Sequence, residues 1–442
     1  MAPRDLNETH DPALRSFVAS ANRPGCDFPI QNLPFGVFHV RGDAAPARVG
    51  IAIGDAILDV SRLGELLGDN CSAAAAACTS TSLNTLMALP SQSWTDLRRA
   101  ISALLAESAP ASARDAATAA LRPISDCALS MPVSVGDFTD FYASVFHATN
   151  AGRLIRPDNP LLQNYKYVPV AYHSRVSTIV ASGAPVCRPW GQILVKGEAV
   201  PVYKPSQRLD YEAELGIFIG QRSDMGTPIP IARAGGHVFG YCLLNDWSAR
   251  DIQAWEYQPL GPFLAKNFAT SVSPWVLTEE ALRPYRIPPY ARPAGDPAPL
   301  PHLFDRDDQI SGGLNIVIEA SITSASMHAA NLAPRLLGRG TFADIYWTIA
   351  QMIAHHSSNG CGLETGDLLG SGTVSGRENE NWGSLLELSW GGSRPIDLGN
   401  GETRTFIQDG DEILLRGSCE AEGRVRLGFG ECRTRVTAAR EL

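Results

Sequence analysis

An excess of positive charge, paired cysteines and long apolar runs are all missing from this 442-residue chain, and each absence removes a class of function. Lys and Arg number 37 against 46 Asp and Glu, a formal net charge of −9. Such a surface has no general attraction for phosphate backbones or anionic lipid, which argues against nucleic-acid binding. No stretch of about 18 uncharged apolar residues occurs, so no membrane span is expected. The nine cysteines stand singly, none as CxxC, and their number is odd. Free thiols in a reducing cytosol fit them better than a disulfide frame or a zinc site. The opening MAPRDLNETHDPALRSF carries no apolar signal core, and a cytoplasmic location is the expectation. Also absent are a GxGxxG after a strand, a Walker loop, a GxSxG elbow and an HExxH helix. Their absence removes the commonest nucleotide, serine-hydrolase and zinc-protease readings.

What is present reads as an ordinary globular protein, 44% apolar and 19% charged, long enough for two domains. Between residues 28 and 60, FGVFHV, ARVGIAIG and AILDV alternate around glycines and predict a small β unit. Leu97, Ile101, Leu104 and Leu105 then fall at helical spacing, with Ser93 or Thr95 as the cap. Two prolines in RPISDCALSMPV mark a boundary between 122 and 135, which divides the chain into 1–130 and 131–442. Beyond it come QILVKGEA, YEAELGIFIG, HVFGYCLLND, GLNIVIEASI, EILLRGSCEA and RVRLGFGECR, separated mostly by Gly and Pro turns. They predict a mainly β (α+β) protein with a sandwich or rolled antiparallel sheet. The proline-dense run from 284 to 301 predicts an irregular loop. Phe342, Ile345, Tyr346, Ile349, Met352 and Ile353 predict one amphipathic helix ending at His355 and His356.

Four acids and one histidine carry the chemistry. In a strand reading of YEAELGIFIG, Glu212 and Glu214 share a face, where two carboxylates repel unless solvated or bridged by a cation or a proton. Asp246 ends an apolar run; it suits a functional group at a strand end or the N-cap of the next helix. On that helix Asp246, Arg250 and Gln253 lie near one face, as do Arg250 and Tyr257. If Asp137 caps a short helix, Asp140 and His147 share a face seven residues apart; a first-turn acid and a structural histidine fit those positions equally. Lys266 lies in an apolar loop with little acidic company, suited to oxyanion support or to snorkelling. Thr373 sits among glycines that permit close backbone approach to a ligand, and Glu387 follows in GSLLELSW. An all-oxygen donor set favours Mg²⁺ or Ca²⁺ over zinc or copper and leaves His147 free as a proton acceptor.

DFTDFYASVFHATN, VPVAYHSR, RLDYEAELGIFIG, NDWSARDIQAWEYQPLGPFLAKNFATSVSPW and HHSSNGCGLETGDLLGSGTVSG together resemble the fumarylacetoacetase family, from about residue 28 onward. The resemblance implies a small N-terminal SH3-like β domain, a larger C-terminal β-roll or sandwich domain, and a homodimer. It implies hydrolysis of a diketo acid, 4-fumarylacetoacetate, to fumarate and acetoacetate, the last step of tyrosine and phenylalanine breakdown. By motif match, Asp140, Glu212, Glu214 and Asp246 would hold Mg²⁺ or Ca²⁺, with Lys266 and Thr270 at a second cation position. His147, oriented by Glu387, would be the general base, for which a neutral imidazole near pH 7 is suited. Arg250, Gln253 and Lys266 would stabilise the enolate that leaves. Tyr142, Arg156, Tyr172, Gln253, Tyr257 and Thr373 would contact substrate. Val145 and Phe146 replace an Arg-Gln pair of the family pattern, and Ser174 replaces a glycine. An acylpyruvate hydrolase, or a metal-dependent decarboxylase or isomerase, would share the same cradle. A silent β-sandwich binding protein would be expected to have lost the base or a ligand, and this chain has both.

Overall fold

Alternating apolar residues between glycine turns produce strands that can bury a face against a neighbour. The computed structural model describes residues 6–441. Phe35–Val40, Arg48–Ile53 and Ala56–Asp59 form an antiparallel meander, with Phe35 opposite Ile51 and Ala52 opposite Ile57. Leu121–Pro123 and Cys127–Leu129 close its edges into a five-stranded sheet. The helix Ser91–Leu105 buries Leu97, Ile101, Leu104 and Leu105 as the spacing predicts. Its start differs: Pro90 precedes the first turn without a side-chain cap, and Thr95 instead donates to Glu280 Oε2 at 2.8 Å.

The larger unit is built on two sheets. The first runs in the order Ala171–His173, Phe138–Phe141, Leu368–Gly370, Ala213–Ile219, Val238–Asp246, Thr270–Val272 and Ile179–Ala181, with Leu277–Thr278 added on Val238–Asp246. The second runs Arg335–Thr341, Ile316–Thr323, Glu412–Cys419, Leu427–Thr437, Val186–Cys187. Leu215, Ile217, Tyr241 and Leu243 meet Ile316, Ile318, Ile413, Leu415 and Phe429 between them in the main core. On its other face the first sheet packs Phe138, Phe218, Leu244 and Val272 into the core of the N-terminal unit. The two units therefore share apolar interior.

Three local expectations change. Of QILVKGEA only Gln192 and Ile193 are strand, as the end of Trp190–Ile193, which pairs with Val202–Pro205. The predicted single helix divides into a turn at Phe342–Asp344 and a helix at Ile349–Ser357, because Thr348 and Gln351 form a capping box that starts a new helix. All six residues of its apolar stripe are nevertheless buried. Within the proline run, Arg286–Ile287 makes a short antiparallel pair with Gly313–Leu314 before the irregular stretch begins. The nine cysteines are free thiols. Among the described residues no helix is long and apolar enough to cross a membrane.

Candidate active site

Period-two alternation puts Asp140 on the face of Phe138, Glu214 on that of Phe218 and Asp246 on that of Leu244. The three apolar residues face the N-terminal unit; beside the acids a cavity of about 310 Å³ opens. Asp140, Glu214 and Asp246 are buried, and each offers an oxygen within 4.8 Å of the others. Gly370 lets them meet. It pairs with Asp140 across the sheet, and a Cβ there would stand 2.4 Å from Asp140 Oδ1 and 3.0 Å from Glu214 Oε2.

This trio fits a divalent cation. Asp140 Oδ1 and Glu214 Oε1 are buried without any hydrogen-bond partner, a costly arrangement for carboxylate oxygens. Burial and the Asp246 carboxylate hold Asp140 well above the usual carboxylate range, and burial and Asp140 do the same to Glu214. One hard, positively charged ion would coordinate the orphaned oxygens and remove the mutual repulsion. Asp246 has further partners: its Oδ2 accepts from Tyr172 Oη at 2.7 Å and Lys266 Nζ at 2.8 Å, and its Oδ1 from Thr270 Oγ1 at 3.3 Å. Tyr172 Oη also lies 3.2 Å from Asp140 Oδ2.

Glu212 stands apart from the trio. Its Oε2 is 2.6 Å from Lys266 Nζ and its Oε1 2.8 Å from Arg250 Nη2. Burial alone would raise its pKa, yet the Lys266 and Arg250 cations hold it well below the usual range. Lys266 therefore has close acidic company, contrary to the expectation from its loop. Local sequence could not reveal this, because the acids arrive from positions 54 and 20 residues away.

The shared helix expected for Asp140 and His147 does not form. Asp140 lies in the strand Phe138–Phe141, which pairs in parallel with Leu368–Gly370, whereas His147 lies in the helix Val145–Ile155. Ser144, not Asp137, caps that helix by accepting from the His147 amide at 3.2 Å. His147 Nδ1 is 2.7 Å from Glu387 Oε2, and its Nε2 is 3.6 Å from Glu212 Oε1. Glu387 also accepts from Asn150 Nδ2, Ser375 Oγ and Ser384 Oγ at 3.0, 2.8 and 2.9 Å. Burial lowers the imidazole pKa, but Glu387 and Glu212 outweigh it and raise it to about 9. That departs from the near-neutral base expected, since two carboxylates flank the ring rather than one.

Asp246 ends its strand and caps no helix; Arg250–Glu256 begins after Ala249 without a side-chain cap. Arg250 Nη1 donates to Gln253 Oε1 at 3.1 Å, as the one-turn spacing predicts. Tyr142, Arg156, Tyr172, Gln253 and Tyr257 line the cavity together with His147, Glu212, Arg250 and Lys266. Thr373 does not; it is buried next to the lining residue Gly372, with its hydroxyl unpartnered. Phe146 turns its ring edge-on to Tyr290, 5.9 Å between centroids, and Ser174 pairs through its amide with Phe138. Sequence reasoning missed Asn150, Asp210, Ser375 and Ser384. Asn150 follows His147 by one helical turn, and Asp210 continues the alternation of Glu212 and Glu214, so both had a signal.

The fumarylacetoacetate (FAA) hydrolase C-terminal family matches residues 138–437, and the fumarylacetoacetase N-terminal family matches residues 31–132. The chain is 45% identical to the fumarylacetoacetase of Homo sapiens over 417 residues, 93% of this chain and 97% of that one. It is 44% identical to that of Caenorhabditis elegans over 432 residues, 96% and 100% of the two chains. With that of Oryza sativa subsp. japonica it shares 40% identity over 433 residues, 96% and 98% of the two chains.

Proposed function

The chain belongs to the fumarylacetoacetase family and is a hydrolase of fumarylacetoacetate; we propose that Asp140, Glu214 and Asp246 hold Mg²⁺ or Ca²⁺ for this reaction, with Glu212, tied to Lys266 and Arg250 in the cation-free site, as the fourth ligand, and that His147 is its general base. Lys266 and Thr270 complete the surroundings at a second cation position. The observation that carries this reading is the trio of buried carboxylates with two unpartnered oxygens, set beside an imidazole already tied to Glu387.

Polarisation of the substrate carbonyl is the chemistry that a bound cation supplies. His147 holds its extra proton in the cation-free site; with a positive charge on the neighbouring carboxylates the imidazolium is disfavoured, and the neutral ring would take the proton of the attacking water on Nε2. Its Nδ1–H remains on Glu387, which fixes the tautomer and stabilises the imidazolium. Cleavage of the carbon–carbon bond leaves its electron pair on acetoacetate as an enolate, and the other fragment departs as fumarate. Arg250, Gln253 and Lys266 are donors already in place for the developing negative charge. Arg156, whose Nε is buried without a partner, and Tyr142 grip a terminal carboxylate of the substrate. The same reading takes 1–130 and 131–442 as the two domains, and the enzyme as a cytoplasmic homodimer acting at the end of tyrosine and phenylalanine breakdown. Product analysis after incubation with fumarylacetoacetate and Mg²⁺ tests it. Fumarate with acetoacetate is expected; released CO₂, an isomer, or an untouched substrate beside a hydrolysed acylpyruvate would overturn it.

A further inference from the structure

We propose that Asp210 is a positioning residue for this reaction, holding Arg250 and the Glu387–His147 pair in one fixed relation; this rests on the hydrolase reading above. Asp210 is fully buried and does not line the cavity. Its Oδ2 accepts from Arg250 Nε and from the Leu386 amide, both at 2.9 Å. Its Oδ1 accepts from the Leu385 amide at 2.8 Å and the Tyr211 amide at 2.9 Å. One carboxylate is thus shared between the helix Arg250–Glu256 and the short helix Leu385–Leu388 that carries Glu387.

From those two elements the contacts run on to the two nitrogens of the same imidazole. Through Leu385–Leu388, Asp210 fixes Glu387, whose Oε2 is 2.7 Å from His147 Nδ1. Through Arg250, whose Nη2 is 2.8 Å from Glu212 Oε1, it fixes the carboxylate 3.6 Å from His147 Nε2. The contacts form a closed ring: Asp210, Arg250, Glu212, His147, Glu387, and back through the helix backbone to Asp210. Charge balance alone does not explain this arrangement. Glu212 is shared between Arg250 and Lys266, so Asp210 does supply charge to Arg250, but the two amides of the Glu387 helix are also bound by Asp210 and give Arg250 nothing. Asp210 touches neither substrate nor cation in this scheme, and its effect reaches the reaction only through the groups it holds.

The test is a double-mutant cycle in steady-state turnover of fumarylacetoacetate by the Mg²⁺-loaded enzyme, with Asp210→Asn, Arg250→Gln and both together. Asp210→Asn keeps size and one acceptor but removes the charge. It should lower kcat by about 10- to 100-fold, the usual loss when a contact behind a catalytic group is removed, with KM within about threefold of the parent. Because both residues act in one ring, their losses should not multiply: the double variant should fall below Arg250→Gln by clearly less than Asp210→Asn falls below the parent, the remainder coming from the Glu387 helix. Multiplying losses, an unchanged kcat for Asp210→Asn, or a raised KM at the parental kcat would each overturn the proposal. Should the lone buried charge keep Asp210→Asn from folding, the double variant lacks that imbalance and is compared with Arg250→Gln directly. A further drop of less than about tenfold then supports the proposal, and a larger one overturns it. Turnover by the parent in the same assay reports separately on the hydrolase reading.

Discussion

Raising the pH of the cation-free protein should weaken its fold, and one separable part of that loss belongs to His147. The unfolded chain releases an imidazole proton near 6.5, whereas the folded chain, with Glu387 and Glu212 against the ring, keeps it to about 9. Between those values the folded state holds more protons, so each rise in pH favours unfolding. The stabilisation is complete below 6.5 and is lost as the pH passes about 9. At about 1.36 kcal/mol per pKa unit, the difference amounts to about 3 kcal/mol. Glu212 and Glu387, both held below the usual carboxylate range, stay ionised throughout and add no slope of their own. Asp140 and Glu214, held above it, also favour unfolding as the pH rises, so the parent alone is not a clean test. Urea unfolding with chelator, at the two ends of the window, should therefore be compared between the parent and His147→Gln. The parent should lose about 3 kcal/mol more than the variant. Equal losses in the two proteins would refute the assignment of a strongly held proton to His147. Added Mg²⁺ should narrow the difference, since a positive charge nearby disfavours imidazolium.

Other outcomes follow from the same geometry. His147→Ala should fold and bind cation yet lose about 10²–10⁴-fold in turnover, read from fumarate release; near-parental rates would remove it as the base. Asp246→Ala should abolish calorimetric binding of Mg²⁺ or Ca²⁺, because the trio loses its third carboxylate, and unchanged affinity would take Asp246 out of the ligand set. Gly370→Ala should fold with a stability loss of about 1–3 kcal/mol from overpacking. Its new methyl would stand 2.4 Å from Asp140 Oδ1, so cation affinity should fall while far-ultraviolet dichroism stays parental. An alanine variant with parental affinity would show that the close approach at Gly370 is unimportant.

The legible parts of this fold are those where a periodic pattern and its long-range partner agree. YEAELGIFIG and HVFGYCLLND read as strands, and they pair with each other so that Glu214 faces Leu244 across the ladder. The same parity puts Glu212 and Glu214 on one face, yet it could not show that Glu214 joins Asp140 and Asp246 while Glu212 turns to Lys266 and Arg250. DFTDFYASVFHATN was less legible, because an acid at Asp140 suits a helix start as well as a strand. The choice was made by pairing with Leu368–Gly370, more than 200 residues later. Lys266 was misread for the same reason: its acidic partners are near in space only. The break before Ile349 carried a local signal, Thr348 with Gln351 three residues on, that the apolar stripe concealed.

The central claim is that distant carboxylates converge to bind a hard cation next to His147, and reversible chelation tests it most directly. Fumarate release should stop when the purified enzyme is stripped of divalent ions, and should return when Mg²⁺ or Ca²⁺ alone is added back. Parental turnover by the stripped enzyme, with no ion left to measure, would contradict the account.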